Sequence, residues 1–136
     1  MSRAHQIDVA DCVREIPGQQ FLVRTEAYTD EEIFELEMKH IFERTWIYVG
    51  HESEFSSAGS FKTAYVGRQP VVVVRDKEGK IGAFLNRCVH RGAAVVREAQ
   101  GVLQEMRCPY HGWIFDLSGK TRLISDRNDP GGYGSN

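Results

Sequence analysis

Two short segments constrain this chain more than anything else in it: Cys88-Val89-His90-Arg91-Gly92 and Cys108-Pro109-Tyr110-His111-Gly112-Trp113. Together they read C-x-H, a gap of 17 residues, then C-x-x-H. Each supplies one soft thiolate and one imidazole, followed by a glycine, Gly92 or Gly112, that lets the backbone turn tightly. If the two loops lie side by side, two sulfurs and two nitrogens converge. Such a set suits either a tetrahedral zinc ion or a binuclear iron–sulfur centre with histidine on one iron. Zinc sites usually group two cysteines in one segment and two histidines in another. Here each loop alternates the two types, and a single residue separates Cys88 from His90, a short reach for chelating one ion. The spacing suits loops whose Cys and His address two metal ions a little apart.

The rest of the sequence neither competes with this constellation nor adds to it. The third cysteine, Cys12, has no histidine at ligand spacing, and His5, His40 and His51 have no metal-like pairing. An odd cysteine count argues against a disulfide framework and for metal or redox use. The formal net charge of −2 gives no footing for a nucleic-acid or anionic-membrane partner. The longest clean apolar run, Val71 to Val74, suits a buried strand and is far below the roughly 18 residues a bilayer span needs. No apolar signal region opens the chain, so a cytoplasmic protein is expected.

The chain changes character near residue 45. Residues 1–28 read as an extended lead-in arm with a turn at Pro17-Gly18. Residues 29–45 read as an amphipathic helix docked on the following domain. Thr29 and Glu32 form a capping-box pattern, and Phe34, Met38, Ile41 and Phe42 form an apolar stripe. Strands are expected at Trp46–Val49, Ser60–Val66, Pro70–Arg75, Lys80–Asn86, Val102–Arg107 and Trp113–Asp116. Asp76-Lys77-Glu78-Gly79 and Ser118-Gly119 mark turns. The expected organisation is an arm and helix over 1–45, a mainly β domain over 46–125, and a flexible glycine-rich tail over 126–136.

The two loops closely resemble the Rieske signature, and the resemblance extends beyond the four ligands. His90-Arg91-Gly92, Cys108-Pro109, His111-Gly112-Trp113 and Phe115-Asp116 with Gly119 are similar to the N-terminal Rieske domain of bacterial aromatic-ring-hydroxylating dioxygenase large (alpha) subunits. So are the helix Glu31 to Arg44, the stretch Trp46 to Ser53, and Gly67-Arg68-Gln69-Pro70. Within that family the benzoate, anthranilate and salicylate branch is the most similar. The resemblance implies a small antiparallel β-sandwich with two cluster-binding loops plus an N-terminal amphipathic helix. It implies a 2Fe–2S cluster whose inner iron is held by Cys88 and Cys108 and whose outer iron is held by His90 and His111. Around it, Tyr110 and Trp113 would roof the cluster. Arg91 would stabilise its reduced form or pair with an acid at an interface.

The family's high-potential members carry an extra cysteine in each loop and place Ser and Tyr hydroxyls near the cluster. This chain has Arg91-Gly92-Ala93 and Tyr110 at the former positions and Trp113 and Phe115 at the latter, which implies a low potential. In ring-hydroxylating subunits a mononuclear Fe(II) on two histidines and a carboxylate follows the Rieske domain. Here 25 residues follow His111 and none is histidine. The expectation is an electron-transfer part without catalytic residues of its own. Its donor would be a reductase or ferredoxin, and its acceptor a catalytic domain or a neighbouring alpha subunit. A stand-alone Rieske ferredoxin-like carrier and a structural zinc module are the alternatives.

Overall fold

The computed structural model describes residues 8–18 and 20–125. His5 and the tail expected over 126–136 lie outside the described residues. The chain divides into two units, Met1–Ile47 and Tyr48–Asn136. No described helix is long and apolar enough to cross a membrane.

The first unit is more ordered than an extended arm. A 3-10 turn over Val9–Cys12 is capped by Asp8, whose carboxylate accepts the Ala10 N–H at 3.0 Å, and it buries Cys12. Strands β1 (Val13–Ile16) and β2 (Gln20–Val23) then pair antiparallel, Val13 opposite Val23. Pro17-Gly18 is the turn between them. Four residues a side are too few for the alternation to register as a strand signal. A short helix α1 (Glu26–Thr29) leads to α2 (Glu31–Glu37) and a π-helical turn over Met38–Phe42.

The cap of α2 is Asp30, one residue later than the expected capping box. Its carboxylate accepts the N–H groups of Glu32 and Ile33 at 2.9 and 3.1 Å. Thr29 instead donates its hydroxyl to the Thr25 carbonyl, which belongs to the preceding turn. The expected stripe is also shifted. Ile33 and Met38 are buried, whereas Phe34 and Ile41 are 44% and 47% exposed. A stripe reckoned at 3.6 residues per turn loses its phase where the wider π-type turn begins at Met38.

The expected strand Trp46–Val49 runs across the boundary of the two units and belongs to no sheet. His51 has a local structural role: Nδ1 accepts the Ser53 N–H, and Glu54 accepts the His51 N–H at 2.7 Å, closing a capping box over the 3-10 turn Glu52–Glu54. Seven strands follow. β3 (Ser60–Val66), β4 (Gln69–Arg75), β5 (Ile81–Leu85) and β6 (Gln100–Val102) form an antiparallel sheet in the order β5-β4-β3-β6. β7 (Met106–Arg107), β8 (Ile114–Phe115) and β9 (Thr121–Leu123) form a second. The single strand expected over Val102–Arg107 is therefore two. Val102 pairs with Ser60 in one sheet and Met106 with Phe115 in the other, so the chain changes sheets between them.

The valine run explains the core. Val72 and Val74 point inward beside Phe61, while Val73 is buried on the opposite face. Across from them stand Met106, Trp113, Phe115 and Leu117 of the smaller sheet and its loops, and the same cluster contains Cys88 and Cys108. On the other face of the larger sheet, Arg75 donates to the Phe55 carbonyl at 2.6 Å and Lys62 pairs with Glu54 at 2.6 Å.

Two turns repeat one device. Asp76 accepts the N–H groups of Glu78 and Lys80 at 2.9 and 2.8 Å, and Gly79 takes φ 86°. Asp116 accepts those of Ser118 and Lys120 at 2.9 and 3.0 Å, with Gly119 at φ 83°. The Ser118 hydroxyl, 2.7 Å away, does most to hold the Asp116 carboxyl below its ordinary range; partial burial opposes it, and the two N–H groups and Arg122 assist. A depressed folded pKa makes this a contribution present at neutral pH and lost as pH falls through the folded value. In denaturant unfolding, Asp116→Asn is therefore expected to be less stable than the parent at pH 7, with the gap narrowing on acidification. A gap constant with pH would contradict that account.

Candidate metal centre

The two cysteine loops arise differently but share one backbone geometry. The first leaves the end of β5; the second is the tip of the β7–β8 hairpin. In each, the cysteine N–H donates to the carbonyl five residues on: Cys88 to Ala93 and Cys108 to Trp113, both at 2.8 Å. In each, the glycine four residues on donates back to the cysteine carbonyl, Gly92 at 2.8 Å and Gly112 at 3.0 Å. Both glycines sit at φ 73°, where a side chain is strained.

That turn aims backbone N–H groups at each sulfur, those of His90 and Arg91 at Cys88 and those of Tyr110 and His111 at Cys108. Such a nest favours negative charge. Both cysteines are buried in the same core cluster. Burial pushes the Cys88 thiol up, and Cys108 beside it adds to the rise. Burial acts on Cys108 in the same sense, but its N–H donors, the Cys88 thiol and Arg97 outweigh it and bring Cys108 down.

The imidazoles form a second pair. The His90 and His111 ring centroids are 4.5 Å apart at 58°. His90 stacks on Trp113 at 5.1 Å and 10°, and Tyr110 lies 3.8 Å from His111. The Arg91 guanidinium stands 5.8 Å from the Tyr110 ring centroid, linking the two loop tips. Both histidines are half-buried, yet Nδ1 of each is fully buried. His111 Nδ1 has no hydrogen-bond partner among the described residues. A buried imidazole nitrogen left in that state costs free energy, and ligation is one way to recover it.

The structure thus brings the expected ligands together as two pairs, Cys88 with Cys108 in the core cluster and His90 with His111 in ring contact. Among the described residues no three His, Cys, Asp or Glu side chains gather as a site for one ion. Two thiols and two imidazoles divided in this way suit a binuclear centre better than a single tetrahedral ion. Trp113 is 6% exposed and shields His90, whereas Tyr110 covers His111 while remaining 58% exposed. Arg91 is exposed, and Cys12 lies in the first unit, where its thiol approaches the Asp8 carbonyl at 3.9 Å.

Two supporting residues escaped the sequence reading. Asn86 is a buried amide that hydrogen-bonds to Val95 and Val96. A signal for it existed, since Gly82, Phe84 and residue 86 share the inward parity of β5, so a buried polar group was due there. Ser125 donates to the His111 carbonyl at 2.6 Å from 14 residues away, and nothing in the sequence marks it.

The sequence model of the Rieske [2Fe-2S] domain matches residues 45–130. Toluate 1,2-dioxygenase subunit alpha of Pseudomonas putida is 43% identical over 108 residues, 79% of this chain and 24% of that protein. Biphenyl 2,3-dioxygenase subunit alpha of Rhodococcus jostii (strain RHA1) is 43% identical over 112 residues, 82% of this chain and 24% of that protein. Naphthalene 1,2-dioxygenase from Rhodococcus sp. bound to indole superposes with a TM-score of 0.68 at 36% identity, covering 70% of this chain and 22% of that one. A quaternary ammonium Rieske monooxygenase, whose structure is described in terms of carnitine oxidation and inter-subunit electron transfer, gives 0.67 at 35%, covering 72% and 27%. The chain spans about a quarter of the length of the curated relatives it matches.

Proposed function

The chain belongs to the Rieske 2Fe–2S domain family, and from that premise we propose that Cys88 and Cys108 hold one iron, and His90 and His111 the other, in the electron-transfer part of a ring-hydroxylating dioxygenase alpha subunit. When bound, such a cluster takes up and releases one electron at a time. The observation that carries the ligand assignment is the repeated turn. It buries two sulfurs under paired backbone N–H groups and presents two imidazoles with their Nδ1 atoms buried.

This chain's residues divide the remaining work. The nest N–H groups stabilise thiolate charge. Trp113 keeps water from one face of His90 and fixes its plane. The exposed parts of the two imidazole rings give a partner a short path to the centre. Electrons would come from a reductase or ferredoxin. They would leave toward a mononuclear Fe(II) in a catalytic domain, of the same or a neighbouring subunit. The likeness to toluate and biphenyl dioxygenase subunits favours an aromatic substrate for the whole enzyme.

Iron and acid-labile sulfide per chain, with a spin-resonance spectrum of the reduced protein, test the assignment. Equal iron and sulfide with a Rieske spectrum are expected, and zinc without sulfide would overturn it. The midpoint potential is expected on the order of −100 mV, in the lower part of the Rieske range. Trp113 and Phe115 offer no hydroxyl to the cluster, and with all three cysteines free no disulfide braces the two loops. A potential above about +150 mV would count against this.

A further inference from the structure

We infer that Asn86 is the positioning residue of the first ligand loop, the side chain that holds Cys88 and His90 in register with Cys108 and His111. The inference rests on the ligand assignment above. The two loops share one turn but not one anchorage. At the second loop the flanking strands are laddered: Met106 pairs with Phe115 and Arg107 with Ile114. At the first, β5 ends at Leu85, and among the described residues no strand pairing joins residues 85–87 to 94–97. The chain leaves one strand and returns beside it with no ladder at its neck.

Asn86 fills that place. Its Nδ2 donates to the Val96 carbonyl at 2.7 Å, and its Oδ1 accepts the N–H groups of Val96 at 2.9 Å and Val95 at 3.1 Å. A side-chain amide carries the same donor and acceptor as a peptide, so one residue does what a pair of ladder bonds does elsewhere. Its own N–H donates to the Pro70 carbonyl at 2.8 Å, which ties the clamp to β4. Asn86 is 6% exposed, so water does not compete for these bonds, and removing the amide leaves several buried backbone groups unmatched. Only Arg87 separates it from Cys88, and a shift at the neck passes to the sulfur with little chain to absorb it. Asn86 touches no ligand atom and acts only through the loop.

The test compares Asn86→Ala with Asp76→Ala in the cluster-loaded chain. Asp76→Ala removes side-chain bonds at the far end of the β4–β5 hairpin and serves as a control for lost stability. Asn86→Ala is expected to speed amide exchange at Val95 and Val96, shift the spin-resonance g-values and displace the midpoint potential. Asp76→Ala is expected to lower stability and leave spectrum and potential unchanged. A parental spectrum and potential in Asn86→Ala overturns the inference, as does an equal displacement in the control. If Asn86→Ala does not fold, Asn86→Asp, which keeps the acceptor and loses the donor to the Val96 carbonyl, is expected to speed amide exchange at Val95 and Val96 and shift the g-values; unshifted g-values overturn the inference. A missing Rieske signal in the unaltered chain overturns the ligand assignment itself, a separate result.

Discussion

Replacing His111 with alanine is expected to erase the Rieske spectrum while leaving a folded β protein. His111 stands outside the buried core cluster and is only half-buried, so the sheets lose little packing when it is truncated. What is lost is one of two nitrogen donors. With three of its four proposed ligands left, the chain would not retain a binuclear centre. The reduced-state signal and visible absorption should disappear and iron per chain should fall. Unfolding should shift only by the metal's binding contribution. Removing the side chain also removes the orphaned Nδ1, so the metal-free variant should be no less stable than the metal-free parent. His90→Ala should behave alike at the metal but cost more stability, since its ring stacks on Trp113. Retention of the signal in either variant would refute the ligand assignment. The contrast with Cys108→Ser is informative, because Cys108 belongs to the core and its loss should disturb both metal and packing.

Gly59→Ala is expected to destabilise the second unit by about 3 kcal/mol or more. Gly59 precedes β3 at φ 86°, a conformation that alone costs an alanine about a kcal/mol or more. A Cβ there would run into the Leu103 carbonyl, a backbone atom that cannot swing aside. The same glycine donates its N–H to Arg75 and accepts that of Leu103, each at 2.8 Å. It therefore sits where the chain between β6 and β7 crosses toward the other sheet, and relief of the clash breaks that junction. For a domain of this size the melting temperature should fall by more than about 10 °C. A change within a few degrees would show that the crossing is softer than its geometry indicates. Gly18, where an added Cβ meets nothing within 4 Å, isolates the conformational cost alone and should lose less.

What the sequence made legible follows from where the information is carried. The two cysteine loops were readable as a repeated motif because thiols, imidazoles and glycines announce themselves by type and spacing. Asp76 to Gly79 was readable because its turn is closed by its own side chains. The division of Val102–Arg107 between two sheets was not. Residues 103–105 carry no turn-forming Gly, Pro, Asn or Asp, and only the competing partners, Ser60 and Phe115, decide the break. β9 was missed because its three residues are exposed and carry no inward face. The cap at Asp30 was placed one residue early because Thr29 and Asp30 are both good caps, and the helix before it claimed Thr29. Asn86 was overlooked because its partners, ten residues on, have no pattern of their own.

The ligand loops grow from opposite walls of the sandwich, one from the four-stranded sheet and the other from the three-stranded sheet. The gap between the walls thus acts as a calliper whose jaws are the two loops, and Phe61, Val72, Val74, Met106 and Phe115 are the stock that sets its opening. A methylene removed from that stock would be felt at the proposed metal centre as a change of span, so a bound cluster's spectrum would gauge the packing of the interior that Cys88 and Cys108 share.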